Sequence, residues 1–156
     1  MDNLLELYKD IDTRDYVGIK KYKNGKHALF VVLLEHLETG HRLIKKRYRK
    51  EHYDIFVNEC LTLAKLSDCD FVPKLYKIRP DSRTIYMSYC GKPIDEDGFI
   101  KYRSTIKEYK NLLKDRWDIY HNDIKAGNVC LLKNKIYFID FGWAHNKKVK
   151  AGYQQN

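Results

Sequence analysis

In the first half of the chain, apolar and polar positions alternate in short runs, the signature of strands with one buried face. Residues 16–23 and 27–37 read as two strands joined at Asn24-Gly25, a tight-hairpin signal, and residues 42–48 as a third after the Glu38-Thr39-Gly40-His41 turn. Residues 84–89 predict another strand, running into Cys90-Gly91-Lys92-Pro93. Helical spacing intervenes in three places. Leu4, Leu7, Tyr8 and Ile11 predict a short amphipathic helix over 3–11, and Phe56, Leu63 and Leu66 a helix from about 54 to 66. Ile106, Tyr109, Leu113 and Trp117 make the apolar stripe of a long helix over 99–117. Two more apolar runs, 129–132 and 136–139, flank Asn134-Lys135 and predict a short β-hairpin. Strands and helices thus fall in blocks, which points to an α+β fold.

Composition narrows the picture. A chain of 156 residues is long enough for one domain with its own core. No apolar run approaches the length of a membrane span, and MDNLLELYKD lacks the basic-then-apolar pattern of an export signal. Cys60, Cys69, Cys90 and Cys130 have no Cys-x-x-Cys spacing, so reduced thiols, an intracellular location and no zinc site are expected. The net charge of +9 favours anionic partners. Its densest runs are 45–50 (KKRYRK) and 147–150 (KKVK); they read either as solvated surface or, with interleaved tyrosines, as a nucleic-acid footprint.

The chemistry concentrates in residues 121–142, HNDIKAGNVCLLKNKIYFIDFG. The hairpin carries Asn128 at its start and Asp140 at its end, and Asp123 lies on the loop before it. Two oxygen ligands beside a further carboxylate suit Mg²⁺, which completes its octahedron with phosphates and water. Glu59 sits on the inward stripe of its helix, where a carboxylate needs a partner, and the 42–48 strand offers Lys45 or Lys46. Strand alternation puts Ile44, Lys46 and Tyr48 on one face and favours Lys46; the distance to Glu59 favours Lys45.

His121-Asn122-Asp123-Ile124-Lys125-Ala126-Gly127-Asn128 followed by Asp140-Phe141-Gly142 resembles the catalytic loop and magnesium-binding segment of the protein-kinase-like superfamily. The resemblance implies a five-stranded antiparallel N-lobe with a helix C (residues 1–88), a hinge (89–93) and a reduced C-lobe (94–156). It implies ATP and Mg²⁺ as cofactors. Asp123 would accept the proton of the attacking hydroxyl, and Lys125 would neutralise charge on the transferring phosphoryl. Asn128 and Asp140 would hold the metal, and Lys46 or Lys45, paired with Glu59, would meet the nucleotide's α- and β-phosphates. Met87 would lie beside the adenine, with the Ser88 carbonyl and Cys90 amide bonded to it.

Several departures matter. The glycine-rich loop is absent: only Gly18 and Gly25 are available, with Lys21, Lys23 and Lys26 as substitute charge. Asn122 replaces the arginine that answers activation-loop phosphorylation, so that switch is not expected. Residues 95–98 are all that separates hinge from helix, so the family's helix D is expected to be missing or vestigial, and the peptide platform and later helices are missing, leaving a helix face for a protein partner or a second copy. Lysine two residues after the catalytic aspartate is the Ser/Thr-kinase pattern, making a protein substrate the first choice and a small-molecule or sugar hydroxyl the second. Compact kinase-like proteins of large DNA viruses and bacterial effectors are most similar in architecture. An inactive kinase-fold binding module that sequesters or regulates a host protein is the alternative from another class.

Overall fold

The computed structural model describes residues 11–23 and 25–149. The helix expected over 3–11, Asn24 of the first turn and Lys150 of the last basic run lie outside these. The chain is α+β, and it divides into two units: Met1–Ser67 with Lys74–Tyr89, and Asp68–Pro73 with Cys90–Asn156.

The first unit is an antiparallel sheet of β1 (Tyr16–Lys21), β2 (Ala28–His36), β3 (Arg42–Tyr48), β4 (Leu75–Arg79) and β5 (Thr84–Ser88). Its strand order is β1-β2-β3-β5-β4. Leu34, Leu43 and Tyr86 form a buried cluster, joined by Ile11, Tyr16, Val32 and Tyr76. Helix α1 (Tyr53–Lys65) buries Ile55, Phe56, Glu59, Cys60, Thr62 and Leu63, the stripe its spacing predicts. The first hairpin is not the tight Asn-Gly turn expected. Pairing runs out at Lys21 opposite Val32 and at Tyr22, whose N–H donates to Val31, well short of a two-residue turn at Gly25. His27 is drawn to the far end of β3 instead: its carbonyl accepts from the Arg49 N–H and its ring meets His52 edge-on at 4.4 Å.

The second unit holds β6 (Lys92–Pro93), α2 (Glu96–Lys101), α3 (Arg103–Trp117), β7 (Val129–Leu132) and β8 (Lys135–Phe138), with β6-β7-β8 forming a small antiparallel sheet. The helix expected over 99–117 is two helices, and residues 95–98 start the first rather than serving as a spacer. Asp95 caps α2 through the Gly98 N–H at 2.7 Å, and Glu96 and Asp97 suit the positive end of the helix dipole. The β7–β8 turn is Lys133-Asn134, one residue earlier than expected. Both take left-handed φ values (50° and 65°), the two-residue geometry whose twist matches the flanking strands, with Leu132 opposite Lys135.

Residues 68–73 join this unit through Phe71. Its ring stacks on Tyr109 at 4.0 Å, and its carbonyl accepts from the Phe138 N–H. Asp68 accepts from the Trp117 indole and Asp70 pairs with Lys135. Gly91 has φ +99°, and a Cβ there would run into the Leu131 carbonyl, so this position demands glycine. Among the described residues, no helix is long and apolar enough to cross a membrane.

Candidate functional site

The first unit carries one cluster. β3 alternates, so Lys46 and Tyr48 project towards α1 while Leu43 and Lys45 take the other face. Lys46 Nζ lies 3.1 Å from Glu59 Oε1, and the Tyr48 hydroxyl donates to the same oxygen at 2.7 Å. Glu59 is 1% exposed, so its carboxylate is held by a cation and a hydroxyl in place of water. Lys45 instead lies over the Phe30 and Tyr86 rings, 5.6 Å from each. The geometry therefore pairs Glu59 with Lys46 and not with Lys45. Tyr48 was not among the sequence candidates, although the i, i+2 relation to Lys46 placed it on the right face. Met87 is buried in β5, and the Ser88 N–H and hydroxyl both bond to Lys74. Gly25 lies in the open connection after β1, where a Cβ would meet nothing within 4 Å and φ is not left-handed.

The second unit carries another cluster, built around a buried imidazole. His121 Nε2 donates to the Ile139 carbonyl at 2.7 Å, and Nδ1 accepts from the Asp123 N–H at 3.1 Å. One neutral tautomer satisfies both bonds. Burial, working against the Ile139 bond and the Asp140 and Asp123 charges, lowers the His121 pKa and keeps the ring uncharged. Phe141 is fully buried with its ring 4.6 Å from the imidazole. The Ile139 N–H donates to the Asn128 carbonyl, so both main-chain polar groups of Ile139, the residue before Asp140, are tied to the 121–128 loop.

Asn128 turns on the short helical turn Ala126–Asn128, and its Nδ2 donates to the Asp123 carbonyl (2.9 Å) and Oδ2 (3.1 Å). That leaves its amide oxygen as the atom for a cation. Lys125 Nζ lies 3.7 Å from Asp123 Oδ1, but the lysine is 66% exposed, a weak solvent-screened contact. Asp123 has its pKa raised, first by burial; Lys125 opposes this and the Asp140 charge adds to it. Asp140 adopts φ 65°, a left-handed conformation that costs on the order of 1 kcal/mol for a non-glycine residue and recurs at functional sites. Cys90 and Cys130 are buried, and burial pushes the Cys130 thiol up to about 12. Such a thiol is neither a nucleophile nor a metal ligand at neutral pH.

Asn122 also has a role its sequence position did not disclose. In a left-handed conformation (φ 68°), its amide donates to the Trp143 and Lys147 carbonyls and accepts from the Val149 N–H. Tyr120 and His145 exchange a pair of backbone hydrogen bonds alongside. The segment after Gly142 is thereby fastened to the 120–122 loop without a charged group. The signal was an asparagine preceding an aspartate in a loop, a residue type that tolerates this backbone and bonds nearby peptide groups.

Among the described residues, no three His, Cys, Asp or Glu side chains gather into a metal-binding group. An amide oxygen from Asn128 with carboxylates from Asp140 and Asp123 is still a hard, all-oxygen donor set that fits Mg²⁺ and not zinc. The chain matches no known family model and no curated protein.

Proposed function

We propose that the protein is an ATP- and Mg²⁺-dependent phosphotransferase of the protein-kinase-like superfamily, acting on a hydroxyl. The observation that carries this reading is the stitching of the second unit's cluster. One asparagine side chain holds Asp123, its own carbonyl holds Ile139, and His121 closes the ring from the other side. Polar ends of an ordinary hairpin have no need of such convergence. The buried Lys46–Glu59 pair is independent support, because a buried ion pair is a poor stabiliser and is better explained by a task.

In this reading Lys46, oriented by Glu59 and Tyr48, meets the nucleotide's α- and β-phosphates. Asn128 and Asp140 hold Mg²⁺, which supplies charge neutralisation between the phosphates. Asp123 accepts the hydroxyl proton, and Lys125, largely exposed, answers the incoming phosphoryl. A Ser/Thr side chain of a protein is the first acceptor to try and a small-molecule hydroxyl the second. ATP is the expected nucleotide, with Met87, Ser88 and Cys90 at the adenine.

The second reading is a kinase-fold binding module with little catalysis. It is favoured by the sequence between β1 and β2, where Gly25 has no special conformation and no glycine-rich cradle for phosphates exists. A thermal-unfolding series with Mg·ATP separates the two. The catalytic reading expects a raised midpoint, worth about 2.7 kcal/mol at a hundredfold excess over Kd, that is lost in Asp140→Asn. No shift in the wild type at millimolar nucleotide sinks it and leaves the binding module.

A further inference from the structure

The second unit contains a cavity of about 420 Å³ that shares Asp123 with the proposed catalytic set and whose other lining residues have no part in it. Two lysines line it, Lys110 from α3 and Lys148 from the segment fastened by Asn122, over a floor that includes Leu113. His121, Asn122 and Asp123 form another wall. Among the described residues, the backbone N–H groups of His121 and Asn122 meet no acceptor, because the bonds of these residues are made by their side chains and carbonyl partners. Two consecutive free main-chain donors beside a left-handed residue are the elements of an anion-binding nest.

From this combination we infer that the cavity is an anion site for a phosphate group carried by a small molecule, separate from the nucleotide's site. Two ammonium groups and two N–H donors match the charge and three acceptor oxygens of a phosphomonoester dianion; a carboxylate brings half the charge and two oxygens. The volume lies within the range of small-ligand pockets and leaves room for the rest of the molecule. Nothing in the inference depends on phosphoryl transfer, since neither lysine belongs to the proposed catalytic set.

The test is a titration of ¹⁵N-labelled protein with inorganic phosphate and with O-phosphoserine, at constant ionic strength and without Mg²⁺. The His121 and Asn122 amide resonances should move saturably with both. The double variant Lys110→Ala/Lys148→Ala should bind at least roughly tenfold more weakly, as expected when two charge-assisted contacts go. Both lysines are exposed, so that variant should keep a dispersed spectrum; the two single variants give the same answer if it does not. The Asp140→Asn variant should bind phosphate as the wild type does. The inference is overturned if those two amides stay still, if the lysine variants bind as the wild type, or if acetate binds as well as phosphate. Loss of phosphate binding in Asp140→Asn would equally overturn it, by returning the ligand to the nucleotide's site.

Discussion

Lys46 and Lys45 are neighbours in the chain with opposite surroundings, and this makes the pair a controlled experiment. Lys46→Met removes the cation that lies 3.1 Å from a carboxylate that is 1% exposed, which should cost about 3–5 kcal/mol in chemical denaturation, with Tyr48 holding part of the loss. Lys45→Met keeps an aliphatic stem over two rings and should stay within about 1 kcal/mol. Equal effects would sink the assignment. At His121 the sign follows from linkage. Its folded pKa is lowered below the ordinary 6.5, so the unfolded chain binds the extra proton first. Its stabilising contribution is complete above about 6.5 and is lost as the pH falls below that value. The midpoint should drop between pH 7 and 5, with a shallower slope in His121→Gln, and parallel slopes would rule this out. Lys125 lowers the Asp123 pKa against burial, so Lys125→Ala should move the acid limb of any phosphotransfer rate to higher pH. The loop's residue types were legible from spacing alone. The roles of His121 and Asn122 were not, because they consist of hydrogen bonds to Ile139, Trp143, Lys147 and Val149, whose positions only folding supplies.

Among the elements, those set by local periodicity were the readable ones. β3 and β5 fall within a residue of their expected ends, and α1 presents the stripe that Phe56 and Leu63 announced. Errors cluster where tertiary contacts or caps override the pattern. The Asn24-Gly25 signal lost to His27 being held against Arg49 and His52. Residues 95–98 read as a spacer before the long helix, although Asp95 has the right side chain to cap a helix that runs through Gly98. The β7–β8 turn puts a lysine in a left-handed conformation that costs it about 1–2 kcal/mol. Replacing Lys133-Asn134 by Asn-Gly through Lys133→Asn and Asn134→Gly should therefore raise stability by about 1 kcal/mol in urea unfolding. A neutral or destabilising result would mean that the turn is not of this type.

At the scale of the whole molecule, the pattern of strands and helices foretold an α+β chain, but not how its two units share the sequence. Residues 68–73 lie between two pieces of the first unit and pack in the second. Phe71→Ala should cost about 3–5 kcal/mol, and amide protection should fall in α3 and β8 before β4 or β5. Loss of protection in β4 first would contradict the division. The interleaving also has a consequence for synthesis on the ribosome. Phe71 emerges well before Tyr109, Trp117 and Phe138, whose rings it packs against, and the gap to Phe138 is close to seventy residues. At roughly 5–20 residues per second, the nascent chain carries that aromatic segment unpartnered for about 3–13 seconds. During that interval the newborn protein shows an apolar Phe71-Val72-Pro73 step that the finished one hides, a natural handhold for chaperones.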